Sequence, residues 1–338
     1  MLQGAQTWVF NNKPVILSTG VVGGPFEKDS KLSTDFDKFH DDLWMGQDSY
    51  EKAQRILLED AVEIALRKKA LKEEDVQFFL AGDLINQITP TSFAARTNQI
   101  PYFGLFSACA TSTAGLALAS LIVNSGGAKY VLAGAASHNA SAEKQFRYPT
   151  EYGGQKPPTA QWTVTGAGVA LIGSGDLIPS PHPRITAATI GKVVDMGLSD
   201  PFNMGGAMAP AAADTIQRHF FDLQLDPSHY DLIVTGDLAQ IGRNTALKLF
   251  EQKGLQIKDE QFKDCGLLLY DDDQEVFAGG SGPGCSAVVT YGHLLNQMKA
   301  GVYKKILFVA TGALLSPLSV QQNETIPCIA HAIAIEFE

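Results

Sequence analysis

Phe106-Ser107-Ala108-Cys109-Ala110-Thr111-Ser112-Thr113-Ala114-Gly115 is the stretch on which the fold of this chain turns. An apolar, strand-like lead-in reaches Cys109, and the small residues after it read as a buried helix. A cysteine at a strand-to-helix turn faces a helix N-terminus, where unpaired N–H groups and the helix dipole favour an anion. The thiol pKa is therefore expected to fall, which is how a nucleophile is commonly presented. Nothing later in the chain offers the histidines that such a nucleophile needs. An active-site setting without its proton-transfer groups suggests a fold reused to bind something.

Working outward, the chain carries a faint internal repeat. Ser49 to Leu71 places Ala53, Ile56, Leu57, Ala61, Ile64, Ala65 and Leu66 at helical spacing, with Asp48 or Ser49 as cap. The strand Val76 to Leu80 follows and ends in Gly82-Asp83-Leu84. In the second half, Ala211 to Leu223 reads as a helix with Pro210 near its first position. The strand Leu232-Ile233-Val234 then ends in Gly236-Asp237-Leu238. The Cys109 turn corresponds to the glycine-rich turn Gly279-Gly280-Ser281-Gly282-Pro283-Gly284-Cys285. Strand Lys129 to Gly134 corresponds to Lys305 to Ala310, and Gly168 to Ile172 to Ile329 through Ile335. Alternating strands and helices predict mixed sheets covered by helices. Two such halves, residues 1–178 and 179–338, would pack as layered α/β/α/β/α. Ser137 to Thr165, with Tyr148-Pro149, Gly153-Gly154 and Lys156-Pro157-Pro158, reads as a long surface excursion. Asn203 to Met208 reads as a flexible Gly- and Met-rich loop.

Composition narrows the function classes. The 338 residues are 45% hydrophobic and 18% charged, as in ordinary globular proteins. A net charge of −10 with scattered basic residues argues against nucleic acid. Met1 to Phe10 has neither a basic start nor an apolar core, so no secretory leader is expected. The apolar stretch Ile306 to Leu315 is broken by Thr311 and Gly312 and falls far below the ~20 residues of a membrane helix. The four cysteines, Cys109, Cys265, Cys285 and Cys328, form no C-x-x-C pair and no zinc spacing. Free thiols in a reducing compartment are the simple expectation.

Several side chains have both a structural and a functional reading. Asp83 and Asp237 end equivalent strands, where an aspartate either caps the next segment or faces a pocket. His138 follows Ala135-Ala136-Ser137 and either donates to a carboxylate or packs structurally. His331, in an alternating apolar strand, reads as a core residue. Asp271-Asp272-Asp273 lacks the spacing of a calcium loop and reads as an exposed turn. The glycine-rich turn either lets a helix and a strand pack closely or offers N–H groups to an anion.

The Ser-Ala-Cys-Ala-Thr-Ser turn, the duplicated halves and the glycine-rich second turn resemble the thiolase and ketoacyl-synthase superfamily over nearly the whole chain. Within it, the sequence is most similar to the stage V sporulation protein AD family of spore-forming bacteria. The resemblance implies a thiolase-like α/β fold with mixed five-stranded sheets. It also implies association with uptake of dipicolinic acid (pyridine-2,6-dicarboxylic acid) into the developing spore. Condensing enzymes of the superfamily pair the cysteine with His/His or His/Asn. Here the matching positions read Thr235-Gly236-Asp237 and Gly280-Ser281-Gly282-Pro283, and none of the seven histidines falls on them. Losing one oxyanion donor alone costs ~10²–10³ in rate. The expectation is therefore a non-catalytic binder; the alternative is an acyl-CoA condensing or acyl-transfer enzyme using Cys109. The expected ligand-binding set is Cys109, Asp83, His138, Met204, Asp237, Gly280, Ser281 and Gly312, with no catalytic residue, metal ligand or cofactor. Dipicolinate, with calcium as a candidate companion, would meet inward-pointing helix N-termini where the halves join. The other expected partners are stage V sporulation A membrane proteins, holding the chain peripherally at the forespore inner membrane. A homodimer is expected through the strand near Lys129 to Gly134 or the one before Phe106.

Overall fold

The structure, a computed structural model, describes residues 1–146, 156–178 and 181–338. Its ten principal strands are β1 (Val15–Gly23), β2 (Phe78–Gly82), β3 (Tyr102–Gly104), β4 (Tyr130–Ser137), β5 (Gly166–Gly173), β6 (Pro183–Ile190), β7 (Leu232–Thr235), β8 (Phe262–Asp264), β9 (Lys305–Ala313) and β10 (Cys328–Phe337). In space they run β8-β7-β9-β10-β6-β1-β5-β4-β2-β3. The path consists of two five-stranded mixed sheets of one design. In the first, β1, β5 and β4 pair antiparallel, then β4, β2 and β3 parallel. In the second, β6, β10 and β9 pair antiparallel, then β9, β7 and β8 parallel. The sheets join at one pairing, Arg184 with Val15. The repeat read from the sequence is thus a repeat of topology.

Helices complete the layers: α1 (Tyr50–Arg67), α2 (Thr89–Asn98), α3 (Thr111–Asn124), α4 (Asn139–Phe146), α5 (Met204–Leu223), α6 (Ala239–Gln252) and α7 (Pro283–Val288). Strand alternation explains why both faces of each sheet are apolar. Phe79 and Leu132 face outward to Leu57 and Leu58 of α1, whereas Leu80, Val131 and Ala133 face inward. In the second sheet Ile233 and Leu307 meet Ile216 and Phe220 of α5, and Val234 and Phe308 face inward. The small-residue helix α3 fills the centre, touching strands of both sheets. It is joined to α7 by a 2.7 Å bond between Ser112 Oγ and Ser286 Oγ. Small side chains are what let a helix fit between two sheets at close-packed density.

Three expectations change. Helix α5 begins at Met204, so Asn203 to Met208 supplies its cap and first turn rather than a loop, and Pro210 lies inside it. Asn203 Oδ1 accepts from Gly206 N, and Gly205 lies so close to Gly242 of α6 that an added Cβ would come 2.4 Å from Leu238 O. That close crossing holds the turn helical. Strand β4 lies between β2 and β5, so Lys129 to Gly134 is not an edge that could pair with a copy; β3 is the edge. Within Ser137 to Thr165, residues 139–146 form α4, Trp162–Thr163 pairs with Gly280–Ser281, and Tyr148-Pro149 and Gly153-Gly154 lie outside the described residues. Among the described residues no helix is long and apolar enough to cross a membrane.

Candidate functional site

Ala108 has φ +46°, an uncommon conformation for a residue with a Cβ, and it aims the next residue, Cys109, into the fold. The turn is held locally. Thr111 Oγ1 donates to Ala108 O at 2.7 Å, and Ala110 N to Ser107 O at 2.9 Å. It is also held from the other half, where Gly312 of β9 presses against it. A Cβ on Gly312 would lie 2.3 Å from Ser107 O and 3.2 Å from Ala108 Cβ. The glycine at 312 is thus what permits the Cys109 turn to sit on the end of β9.

Cys109 and Ser281 form part of the wall of a cavity of about 410 Å³. Its other walls come from Phe106, from Ala142, Gln145 and Phe146 of α4, from Phe202 and Met204 at the start of α5, and from Leu315 to Gln321 beyond β9. Its size lies within the range of small-molecule sites, about 300–1,000 Å³. Among the described residues the only charged side chain on the lining is Glu143, in an ion pair with Lys156 at 2.7 Å. Polar groups are few: Ser281, Thr163, Ser316, Gln145 and Gln321.

Directly behind Cys109 and Ser281 sits Asp237, fully buried. Its Oδ2 accepts from Ser281 Oγ at 3.2 Å and Gly282 N at 3.1 Å, and its Oδ1 from Thr311 Oγ1 at 2.9 Å. Burial pushes the Asp237 carboxyl up to about 6. A second buried carboxyl, Asp264, interacts with it and is itself pushed up to about 7 by burial. Asp264 accepts from Thr235 Oγ1, Leu238 N, Ala239 N and Gly266 N, which fixes the entry to α6. The expected fall in the Cys109 pKa is overturned. Burial and the adjacent Asp237 carboxylate push the thiol well above its ordinary value. Desolvation and a like charge oppose thiolate formation more strongly than one helix end favours it.

The structure brings together Cys109, Met204 and Ser281 on the lining, with Asp237, Gly280 and Gly312 in the layer behind. It sets Asp83 and His138 apart. Asp83 accepts from Ile85 N at 2.7 Å and from Thr91 N and Oγ1, capping α2. His138 is buried, bonded through Nε2 to Leu43 O at 2.9 Å and through Nδ1 to Ser141 N. Burial lowers its pKa to about 4, so the ring is neutral. His331 is likewise buried, with its pKa lowered to about 4. The glycine-rich turn spends its donors internally: Gly282 N on Asp237 and Gly284 N on Ser137 Oγ. Among the described residues no three His, Cys, Asp or Glu side chains gather as a metal site. Sequence reasoning missed Phe146, Phe202 and the 315–321 wall, which mix apolar and small polar residues and carry no motif.

Two five-stranded sheets around paired central helices, with a cysteine at the first helix entry, define a thiolase-like protein. Solved structures agree. OleA of Xanthomonas campestris bound with cerulenin has a TM-score of 0.64 at 14% identity, covering 97% of this chain and 98% of that one. A second structure of the same OleA also has a TM-score of 0.64 at 14% identity, covering 97% of this chain and 98% of that one. The chain belongs to the Stage V sporulation protein AD family, whose pattern it matches over residues 4–336. It is 50% identical to the Stage V sporulation protein AD of Bacillus subtilis (strain 168) over 337 residues, 99% of this chain and 98% of the relative.

Proposed function

We propose that this thiolase-like sporulation protein is a non-catalytic binder of dipicolinic acid that assists the acid's uptake into the forespore. The observation that carries this reading is the state of Cys109. Its thiol is buried against the Asp237 carboxyl, and Thr235-Gly236-Asp237 and Gly280-Ser281-Gly282-Pro283 stand where condensing enzymes of the superfamily place their histidine or asparagine partners. A thiol held protonated with no histidine partner is a poor nucleophile. The cavity suits a small aromatic acid. Phe106, Phe146 and Phe202 offer ring contacts, and Ser281, Thr163, Ser316 and the glutamines offer hydrogen bonds. Calcium, if it accompanies the ligand, would arrive with it.

Partner stage V sporulation A membrane proteins would hold the chain peripherally at the forespore inner membrane. The copy-to-copy contact would use edge strand β3 to form a homodimer, with Phe103 on the strand, Phe93 on the neighbouring α2 and Phe106 just after the strand all exposed. A second reading, acyl transfer through Cys109, has one observation in its favour: Cys109 lies on the cavity wall, in the fold shared with cerulenin-bound OleA. Calorimetry with dipicolinate and mass spectrometry after incubation with acyl-CoA separate the two. Saturable binding without an adduct is expected; a stable acyl adduct on Cys109 would establish the enzyme.

A further inference from the structure

We propose that the site takes up its dicarboxylate together with a proton, and that Asp237, one side chain behind the cavity wall, is the residue that holds it. This rests on the reading of the cavity as a dipicolinate site and adds how the acid is neutralised there. The motivating geometry is a contradiction. Cys109 and Ser281 are polar groups on the wall that a carboxylate would meet, and both touch the same buried carboxyl. A ligand carboxylate bonded to either would lie one side chain from Asp237, so two like charges would share a dry site. One must be neutralised.

Burial favours protonation of Asp237, while the donors around it favour the carboxylate, so the group is poised between its two forms. From the Cys109 turn it faces a thiol, from the glycine-rich turn Ser281 Oγ and Gly282 N–H, and from β9 Thr311 Oγ1. From the end of β8 it faces the Asp264 carboxyl, and from the segment after it the Cys265 thiol. The Cys285 thiol of α7 and the Cys328 thiol of β10 complete the titratable groups that sense it. Each of those is an acid whose only charged form is negative. On the cavity side, Glu143 adds a carboxyl already paired with Lys156. Burial, offset in part by these hydrogen bonds, brings Asp237 up to about 6, just below neutral pH. A bound anion adds a like charge that moves the group across neutrality, and the proton enters with the ligand. Asp264 and Asp237 interact, so the proton belongs to the pair; the contact of Asp237 with the wall makes it the responsive member.

The test is calorimetric titration of dipicolinate into the full chain at neutral pH, with a chelator present, in two buffers of different ionisation enthalpy. The expected result is uptake approaching one proton per site, with Kd rising roughly tenfold per pH unit above neutral. Asp237→Asn should abolish the uptake and flatten the pH dependence. Should that variant fail to fold, the native chain still decides. Binding with no proton uptake and a pH-independent Kd overturns the inference and leaves dipicolinate as the ligand. Tight binding only when calcium is added, again without proton uptake, overturns it in favour of a cation. A folded Asp237→Asn chain that still takes up a proton overturns the assignment to Asp237. No binding under any condition overturns the dipicolinate reading and the inference with it.

Discussion

Glu27→Gln should make this protein more stable at alkaline pH and leave its stability in mild acid little changed. Glu27 is fully buried in the short helix Pro25–Lys28. Its Oε1 accepts from Thr165 N at 3.1 Å and from Tyr270 OH at 2.6 Å, tying the two halves together, while Oε2 has no hydrogen-bond partner among the described residues. Burial raises its pKa from 4.5 to about 7, against the smaller lowering by those bonds. The sign follows from linkage. A carboxyl whose folded pKa is raised contributes stability that is fully present below its unfolded value and is lost as pH rises through the folded value. For a group moved from 4.5 to about 7, the loss is at most about 3 kcal/mol, most of it between about pH 5 and pH 8. Glutamine keeps an acceptor for Thr165 and Tyr270 and has no charge to desolvate. Urea unfolding of both proteins at about pH 5 and about pH 8 should show a gain for the variant of roughly 2 kcal/mol or more at the higher pH relative to the lower. An equal loss of stability at both pH values would refute the reasoning, because Glu27 would then act only through its shape and hydrogen bonds.

Three further outcomes follow from the cavity and its frame. Cys109→Ala should leave dipicolinate binding and spore dipicolinate content near normal, whereas Cys109→Trp should fill the cavity and abolish both; loss of spore dipicolinate in the alanine variant with binding unchanged would mean that Cys109 does chemistry. Gly312→Val should cost about 1–3 kcal/mol by forcing β9 away from the Cys109 turn, and ligand affinity should fall with it; chemical unfolding alongside ligand titration measures both, and unchanged affinity would show that the turn is not held by β9. Phe103→Asp on edge strand β3 should convert a dimer to a monomer in light scattering at micromolar concentration, and a native chain that is already monomeric there would remove the dimer proposal.

Much of the fold was legible along the chain because it depends on local patterns that occur twice. Helix α1 announced itself through apolar spacing, and of its two candidate caps, Asp48 and Ser49, it is Ser49 that accepts from Lys52 N. The matched order of helix, strand, turn and strand gave the duplicated sheets. The three-residue strand β8 was not legible, since so short a segment carries no period, whereas β3, equally short, was read as the strand-like lead-in to the Cys109 turn. The start of α5 was also misjudged: Gly205 and Gly206 read as loop residues until α6 is seen packed against Gly205, so a tertiary contact overrides the local preference.

The sequence by itself determined the frame: a cysteine at a helix entry, two similar halves, and missing histidines at the positions where a condensing enzyme keeps them. It did not determine the chemistry of the cysteine. Helix position alone predicts a lowered thiol pKa, yet Asp237, from the other half and 128 positions along the chain, faces Cys109 and holds its proton on. The same holds for the candidate aspartates and His138. Asp83 and Asp237 end equivalent strands, but the first caps α2 and the second stands behind the cavity wall. Which of two like residues meets a ligand depends on desolvation and on charges brought close by folding, and both are properties of distance in space that spacing along the chain does not contain.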